Sequence, residues 1–509
     1  MRVIFYSFIF LASSLLGQDK PGSSDDAPAL TIYNESFAVV RQTIPLELKS
    51  GVNQIEVNDI TSYLEPDSVI LRDLKTGQEL HILEQNYRSD VASQARLLSL
   101  YEGKTIDFLM TDNSGQRKLM PGKIIRSGYV EQYPTFNNPY GQNYNQAQQY
   151  YLNARSGETI VEIDGKVQFG LPGLPVFPAL TNSSILKPTL SWSLQSERAR
   201  TGTAEFSYVT GGMNWHADYN VVGAVNGNLV DIVGWVTLDN QTGKTFNNAH
   251  IKLMAGDVNK IQPGGFAYGG PASMMASASV EVAAPGVTER SFDEYHLYTL
   301  ERPAALRDRE IKQVEFVRAS GVPAKRLYVY DGVKVDQNYR GYSQENIRDM
   351  ENFGVQSNPK IWAMVEFKNS KENHLGMPLP KGRLRFYRRD VDSQLEFTGE
   401  NMIDHTPADE TIRLYTGNVF DAVGERKRTA FKIDRNARTV DESFEIRLRN
   451  HKKEPMEIRV VEHLYRWNNW EIMNNSDPFT KTDSKTIEYR VTVPADGEKV
   501  VTYTSHYTW

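Results

Sequence analysis

Apolar and polar side chains alternate along most of this chain. In residues 37–48, Phe37 and Val39 lie on one side, and five apolar residues lie on the other: Ala38, Val40, Ile44, Leu46 and Leu48. A period of two residues indicates a β-strand with one buried face. Turn sequences separate such runs: Lys49-Ser50-Gly51, Lys75-Thr76-Gly77, Asp164-Gly165 and Asn226-Gly227. The last two favour type I′ hairpins, because both of their residues tolerate a positive φ.

Two segments depart from this alternation. Residues 90–102 place Val91, Ala95, Leu98 and Tyr101 at helical spacing, with Ser89 or Asp90 as a cap and Gly103 as a stop. This pattern predicts one short helix packed on the N-terminal sheet. Residues 343–352 predict a second, weaker helix.

From Leu375 onwards, strand patterns follow one another without helical periodicity. The runs are 382–389, 394–400, 410–416, 427–435, 439–449, 456–466, 486–493 and 498–508. Such a series is typical of an antiparallel sandwich. The predicted fold class is therefore mainly β, with antiparallel β-sandwich regions and one short helix in the N-terminal part.

The same pattern divides the chain into intervals. We predict a signal peptide at 1–17, a linker at 18–28, an N-terminal β region at 29–185, a middle β region at 186–370 and a C-terminal β-sandwich at 371–509. Two loops interrupt these regions. Residues 132–156 are rich in Gln, Asn and Tyr, and residues 262–286 are rich in Gly, Ala, Ser and Pro, which is typical of a disordered loop.

The beginning of the chain has the three parts of a secretory signal peptide. Arg2 precedes the apolar run Val3–Leu11, and small residues follow it. Cleavage after Gly17 would leave Gln18 at the new N-terminus, and cleavage after Ser14 is the alternative. The apolar run is shorter than the roughly 20 residues of a membrane helix. The sequence therefore predicts a periplasmic or secreted protein with no membrane helix after signal removal.

Composition removes several classes of chemistry. The 509 residues are 40% hydrophobic and 24% charged, which is typical of a globular protein, and the net charge of −6 does not favour nucleic acid as a partner. Cysteine is absent, which excludes disulfides, thiolate metal sites and a cysteine nucleophile. The nine histidines form no HxH or HExxH pattern. No nucleophile elbow or phosphate loop is present, so we predict no catalytic residue, metal or cofactor.

The segment Asn214–Tyr219 (NWHADY) contains the candidate binding residues Trp215, His216 and Asp218. In one interpretation Trp215 or Tyr219 stacks on a sugar ring, with His216 and Asp218 as polar partners. In the favoured interpretation both aromatic rings pack in the core of a strand, while His216 and Asp218 face water.

A second candidate is a basic patch formed by Lys381, Arg383 and Arg385, with Arg426-Lys427-Arg428. This patch would bind an anionic glycan, or it is simply a solvated charged face.

Several long segments resemble the exported bacterial family called domain of unknown function 4139, some of whose members are named mucoidy inhibitor proteins. The similar segments are 30–60 (LTIYNESFAVVRQTIPLELKSGVNQIEVNDI), PDSVIL, SYVTGGMNWHADYN, 234–259 (GWVTLDNQTGKTFNNAHIKLMAGDVN), 375–390 (LGMPLPKGRLRFYRRD) and 397–429 (FTGENMIDHTPADETIRLYTGNVFDAVGERKRT). The resemblance implies an exported, β-rich protein without established catalytic residues. The mucoidy label implies a connection with exopolysaccharide or the cell surface.

These observations favour a non-enzymatic binding or structural protein of the bacterial envelope, whose partner is a cell-envelope glycan or an envelope protein. One alternative is a hydrolase of cell-surface glycan, which would need two carboxylates roughly 5–10 Å apart. A second alternative is an outer-membrane-associated β-barrel, suggested by the alternation of Val501, Tyr503, Ser505, Tyr507 and Trp509. The oligomeric state, and the choice between periplasm and cell exterior, stay open.

Overall fold

The computed structural model describes residues 27–77, 79–88, 93–111, 115–129, 158–178, 187–224, 228–260, 283–284, 287–333 and 341–509. The predicted signal peptide with Gly17 and Gln18, the Asn226-Gly227 turn and the loop 132–156 lie outside the described residues. Within the predicted loop 262–286, the described pair Ala283–Ala284 is a short strand. No helix in the described part of the chain is long and apolar enough to cross a membrane.

Strands dominate the described residues. In chain order they are β1 (Ala29–Tyr33), β2 (Phe37–Leu48), β3 (Gly51–Asn58), β4 (Ile70–Asp73), β5 (Ile82–Arg88), β6 (Thr105–Thr111), β7 (Arg117–Arg126), β8 (Ile160–Ile163), β9 (Lys166–Phe169), β10 (Leu174–Val176), β11 (Thr189–Ser196), β12 (Arg200–Gly211), β13 (Met213–Gly223), β14 (Leu229–Asn240), β15 (Phe246–Ala255), β16 (Ala283–Ala284), β17 (Val287–Phe292), β18 (Tyr295–Leu300), β19 (Ala304–Leu306), β20 (Glu310–Asp331), β21 (Lys360–Lys368), β22 (Gly382–Arg389), β23 (Leu395–Ile403), β24 (Thr411–Asp434), β25 (Thr439–Asn450), β26 (Met456–His463), β27 (Asn469–Asn475), β28 (Phe479–Lys481), β29 (Thr486–Val493) and β30 (Gly497–Thr508).

The α-helices of the described residues are α1 (Gln94–Leu100) and α2 (Gln344–Asp349). Both coincide with the predicted helical segments. The cap of α1 differs from the prediction, because the hydroxyl of Ser93 accepts a hydrogen bond from the Arg96 backbone nitrogen at 3.1 Å. Short 3-10 turns lie at Pro66–Ser68 and Lys371–Asn373.

The mainly β, antiparallel fold predicted from the alternation is confirmed. A nine-stranded sheet has the order β16-β17-β18-β15-β1-β2-β12-β4, with β19 beside β15. A thirteen-stranded sheet has the order β23-β22-β13-β14-β20-β21-β24-β25-β30-β27, and β26, β29 and β28 extend from β20. Smaller sheets are β3-β11-β5 and β10-β6-β7-β8-β9. Three described pairs are parallel, namely β1 with β15, β13 with β22, and β20 with β26.

The sheets combine strands from different predicted intervals. In the nine-stranded sheet, β1 and β2 pair with β15 and β12, which lie in the middle interval. In the thirteen-stranded sheet, β13 of the middle interval pairs with β22 of the C-terminal interval. The borders at 185/186 and 370/371 stay predictions of where domains divide.

The predicted turns have two outcomes. Asp164 and Gly165 join β8 to β9 with φ of 49° and 73°, so this hairpin is confirmed. The turn at Lys49–Gly51 instead leads from β2 in the nine-stranded sheet to β3 in the three-stranded sheet. The partner chain segment passes between the same two sheets at this point. Ser196 of β11 pairs with Gly51 in the three-stranded sheet, and Arg200 of β12 pairs with Leu48 in the nine-stranded sheet. The chain therefore forms a corner between two sheets at this point.

Buried apolar residues form three cores. The large core lies among the nine-stranded sheet, the three-stranded sheet and the β13 side of the thirteen-stranded sheet, and contains Trp192, Trp215 and Phe316. The C-terminal core lies between the β24-β25-β30 and β26-β29 layers. The small core joins α1 to the five-stranded sheet and consists of Leu98, Ile106, Phe108, Ile124 and Val161.

Two long strands belong to both larger cores. On β20, Phe316 packs in the large core and Tyr330 in the C-terminal core. On β24, Leu414 packs in the large core and Ala422 in the C-terminal core. The backbone therefore continues without a linker from one core to the other, and the surface between them is formed by strands that both cores share.

Candidate functional site

Alternation along β13 places the two aromatic candidates inside the molecule. Trp215 and Tyr219 are each 1% exposed. The Trp215 indole nitrogen donates to the Met254 carbonyl at 3.2 Å, and the Tyr219 hydroxyl donates to the Pro380 carbonyl at 2.6 Å. A ring that is buried on both faces cannot stack on a sugar. Both residues therefore pack in the core, as the favoured interpretation of this segment held.

The next residues along β13 point to the opposite, outer face of the sheet. The His216 side chain is half exposed, whereas Asp218 is only 6% exposed. The His216 Nε2 atom lies 3.1 Å from Asp218 Oδ2, and the Thr237 hydroxyl donates to the same oxygen at 3.0 Å. The expectation that Asp218 faces water is wrong, because its neighbours cover the carboxylate.

The parallel strand β22 brings two arginines from the basic patch to Asp218. The Arg383 Nη2 atom is 3.5 Å from Asp218 Oδ1, and the Arg385 Nη1 atom is 3.8 Å from it. Both guanidinium groups stay partly exposed, at 45% and 30%. Two separate sequence candidates, the NWHADY segment and the basic patch, thus form one site.

Other members of the predicted basic patch lie elsewhere. Arg426 is 5% exposed and forms an ion pair with Glu462 at 2.9 Å between the strands that enclose the C-terminal core. The Arg428 side chain is 10% exposed and lies 3.5 Å from Glu442. These arginines are buried because carboxylates from neighbouring strands neutralise them, so neither belongs to a solvated face.

A residue missed by the sequence analysis completes the outer face. Trp235 on β14 is the direct cross-strand partner of Asp218, and its side chain is half-buried. Its neighbours Val236 and Gly234 are buried, so strict alternation along β14 places Trp235 on the outer side. That alternation was the available signal, and it identifies an aromatic ring beside a cluster of charged groups.

The outer face continues along β22 into a cleft. Residues two apart on a strand share a face, so Tyr387 follows Arg383 and Arg385 on the same side. Tyr387 lines a cleft of about 310 Å³, which we call the junction cleft because both long strands β20 and β24 form its walls. Its ring contacts Phe397 edge to face at a centroid distance of 5.8 Å.

Aromatic and cationic groups line the junction cleft together with small, aliphatic and neutral polar residues. Phe420 is 96% exposed at the cleft, and Tyr328 lies on the β20 side. The Lys452 Nζ atom lies 5.1 Å from the centroid of the Tyr328 ring. Arg326 and Arg388 also line the cleft. An exposed phenyl ring beside several cations is a surface suited to a ligand with apolar faces and negative charge.

The described part of the chain contains no set of side chains arranged to bind a metal ion. There, no group of three histidine, aspartate or glutamate side chains is arranged to hold a metal ion. At the outer face, Asp218 already accepts from Thr237 and lies beside two arginines and His216. This arrangement can hold an anionic or hydroxyl-rich ligand through its arginines and imidazole.

Fold and site together define a multi-sheet antiparallel β-protein with a charged, aromatic outer surface on one sheet. The chain matches no known family model, no curated protein and no solved structure. The resemblance to the domain of unknown function 4139 family therefore stays a prediction.

Proposed function

We propose that this chain is an exported bacterial envelope protein that binds acidic cell-surface glycan without catalysing a reaction. The proposed binding surface consists of Trp235, His216, Arg383 and Arg385 on the outer face, together with the junction cleft. The observation that carries this proposal is that Arg383 and Arg385 share the carboxylate of Asp218 and stay partly exposed.

The balance of charge on this surface favours an anionic ligand. On the outer face, Asp218 and Glu400 accompany the two partly exposed guanidinium groups, so the excess of positive charge lies in the junction cleft. In the junction cleft, Arg326 and Lys452 accompany one lining carboxylate, that of Asp421. Guanidinium groups bind planar carboxylates well, because they present paired donors in the required geometry.

The aromatic groups account for recognition of a sugar body. Trp235 presents a half-buried ring beside the arginines, and Phe420 and Tyr387 continue the aromatic surface into the cleft. Aromatic rings gain free energy by covering apolar faces while their neighbours form hydrogen bonds. A polymer of uronic acids combines ring faces, hydroxyl groups and carboxylates, which is the chemistry that this surface complements.

Binding of oligogalacturonate, compared with neutral dextran, tests the proposal. We expect the uronic acid oligomer to bind, with affinity that falls as salt increases, because exposed charges are screened. The double variant Arg383→Gln/Arg385→Gln should weaken binding at least about tenfold, which corresponds to roughly 1.4 kcal/mol. The variant Phe420→Ala should weaken binding while leaving the melting temperature unchanged, because its side chain is 96% exposed.

Arg447→Gln is the matched control, because this partly exposed arginine pairs with Glu445 and Glu498 and does not line the junction cleft. The control should bind like the unmodified protein. Equal binding of dextran, or equal affinity in the double variant, would contradict the proposed surface. Release of reducing ends from the oligomer would contradict the proposal that no reaction is catalysed.

The proposed export has a test of its own. Protein isolated from the periplasm or the medium should begin at Gln18, or at Leu15 if cleavage follows Ser14, and mass spectrometry measures this directly. An intact Met1 in the isolated protein would contradict export through a cleaved signal peptide.

A further inference from the structure

A second cavity lies on the outer face of the nine-stranded sheet, away from β13 and β22. It has a volume of about 440 Å³, within the range typical of small-molecule sites. Strand register explains the hollow. Ala29 on β1 is the direct partner of Arg41 on one side and of His250 on the other. A methyl group between two long side chains leaves open space above the sheet.

The cavity contains cations that have no carboxylate partner. Arg41 and Lys252 line it, and neither forms an ion pair within the described part of the chain. Arg41 Nη2 donates to the Thr31 hydroxyl at 3.1 Å, while its Nε–H is buried and has no hydrogen-bond acceptor among the described residues. A buried guanidinium donor without an acceptor is costly, so it indicates a place for an external acceptor.

Neighbouring cations disfavour the positive charge of Lys252 when no anion lies beside it. Burial, together with the nearby guanidinium groups of Arg41 and Arg290, lowers the pKa of Lys252. The lining carboxylate is that of Glu205, and Arg72 holds it at 2.6 Å. Glu205 is therefore already neutralised and does not balance Arg41 and Lys252.

We propose that this cavity is a binding site for an oxyanion, either a phosphate or a carboxylate group, carried on a small polar body. Arg41 and Lys252 bind the oxyanion. Thr299 and His250 line the remaining wall and offer polar atoms to the hydroxyl groups of the body. The site is independent of the glycan surface proposed above, because none of its residues lies on β13 or β22.

Thermal unfolding and calorimetry with three probes test the site. Inorganic phosphate and glucuronate should each raise the unfolding temperature of the full chain, whereas glucose should not, because a ligand that binds the folded state stabilises it. A larger effect of phosphate assigns a phosphate ligand, and a larger effect of glucuronate assigns a carboxylate. The variants Arg41→Gln and Lys252→Gln should each reduce the affinity at least tenfold.

The same variants separate a binding site from a structural role. Without added anion, Lys252→Gln should unfold at a higher temperature than the unmodified protein, because it removes a cation that other cations repel. If Lys252→Gln lowers the unfolding temperature and phosphate still stabilises it, the proposal is wrong. The Arg383→Gln/Arg385→Gln variant should keep full binding of phosphate or glucuronate, so failure of the glycan proposal and failure of this one are distinguishable.

One competitor is part of the chain. Asp25 and Asp26 directly precede Ala27, which lines the cavity, so they are close to the site in sequence. The Asp25→Asn/Asp26→Asn variant should bind the probes with the affinity of the unmodified protein. If this variant binds the probes and the unmodified protein does not, Arg41 and Lys252 pair with the chain's own carboxylates. That result would overturn the proposal of an external ligand.

Discussion

Two tryptophans on neighbouring strands have opposite environments. Trp215 on β13 is 1% exposed and packs in the large core, with its indole N–H bonded to Met254. Trp235 on β14 lies on the outer face beside Asp218 and is half-buried. The difference follows from register and alternation. Trp235 pairs with Asp218, which lies three positions from Trp215 along β13 and therefore on the opposite face of the sheet.

This contrast predicts that a tryptophan-to-alanine substitution has different effects on stability and binding at the two positions. Trp215→Ala should lower the free energy of unfolding by about 3–5 kcal/mol, since it leaves a large cavity in the core. Trp235→Ala should cost about 1 kcal/mol or less and should weaken oligogalacturonate binding. Urea denaturation and binding measurements on both variants check this, and equal loss of stability in the two would contradict the assignment of faces.

A histidine at the end of β26 has a carboxylate partner at the end of β20. The His463 Nε2 atom lies 3.0 Å from Asp331 Oδ2, and both side chains are about four-fifths buried. Burial opposes the charged imidazole, but the hydrogen bond and the charge of Asp331 outweigh burial and raise the pKa of His463 above 6.5. Protonated His463 therefore stabilises the folded state more than the unfolded state.

The raised pKa predicts a pH dependence of stability. The contribution is complete below about pH 6.5, the unfolded value, and is lost as the pH rises through the higher folded pKa. His463→Gln should therefore cost more at pH 5.5 than at pH 9, with a loss of about 1–3 kcal/mol at the lower pH. In an Asp331→Asn background the pH-dependent part of the cost should disappear, and its persistence would contradict the pairing.

At the scale of elements, one buried arginine holds helix α2 in place. Arg466 is 1% exposed and forms a paired interaction with Glu442 at 2.7 and 2.8 Å. The same guanidinium group donates to the carbonyls of Ile347, Arg348 and Met350, at the C-terminal end of α2. A cation at this end of a helix stabilises the carbonyls of the last turn, which carry partial negative charge.

Removing this arginine should release the helix. Arg466→Met keeps much of the volume but leaves Glu442 buried beside fewer donors, so we expect a loss of about 3–5 kcal/mol. Limited proteolysis should then cleave within 343–354 faster than in the unmodified protein. Arg447→Met, which removes an exposed ion pair, should change stability by less than about 1 kcal/mol. Equal proteolysis of both variants would contradict the anchoring role.

Local patterns predicted elements better than pairings. The Asp164-Gly165 hairpin was predictable, because two residues with positive φ determine it. The corner at Lys49–Gly51 was not, because alternation continues through it and only the pairing with β11 and β12 distinguishes two sheets. Two predicted strands, 410–416 and 427–435, are parts of the single strand β24, whose middle section alternates less clearly.

The site was predictable only in pieces for the same reason. Asp218 and Arg383 are 165 positions apart in sequence, and a parallel strand pairing brings them together. Arg426 resembles a solvated charge in sequence, because its partner Glu462 lies 36 positions away on another strand. Charge patterns show which groups need partners, but the topology of the sheet decides which partners they find.

At the scale of the whole molecule, shared strands should couple the two larger cores. β20 and β24 contribute buried residues to both, so neither core can lose these strands without exposing the other. Hydrogen exchange in increasing denaturant should therefore show both cores opening in one transition. The small core has five buried residues of its own and should open at a lower denaturant concentration. Separate transitions for the two larger cores would contradict this coupling.

The junction cleft has walls that belong to these shared strands. Tyr328 lies on β20 and Phe420 on β24, so the gap between their rings depends on how these two strands lie relative to each other between the two larger cores. A molecule bound there would contact both shared strands and would restrict motion between the two larger cores. Conversely, a motion of the two larger cores relative to each other would change the width of the cleft and weaken its contacts with the bound molecule.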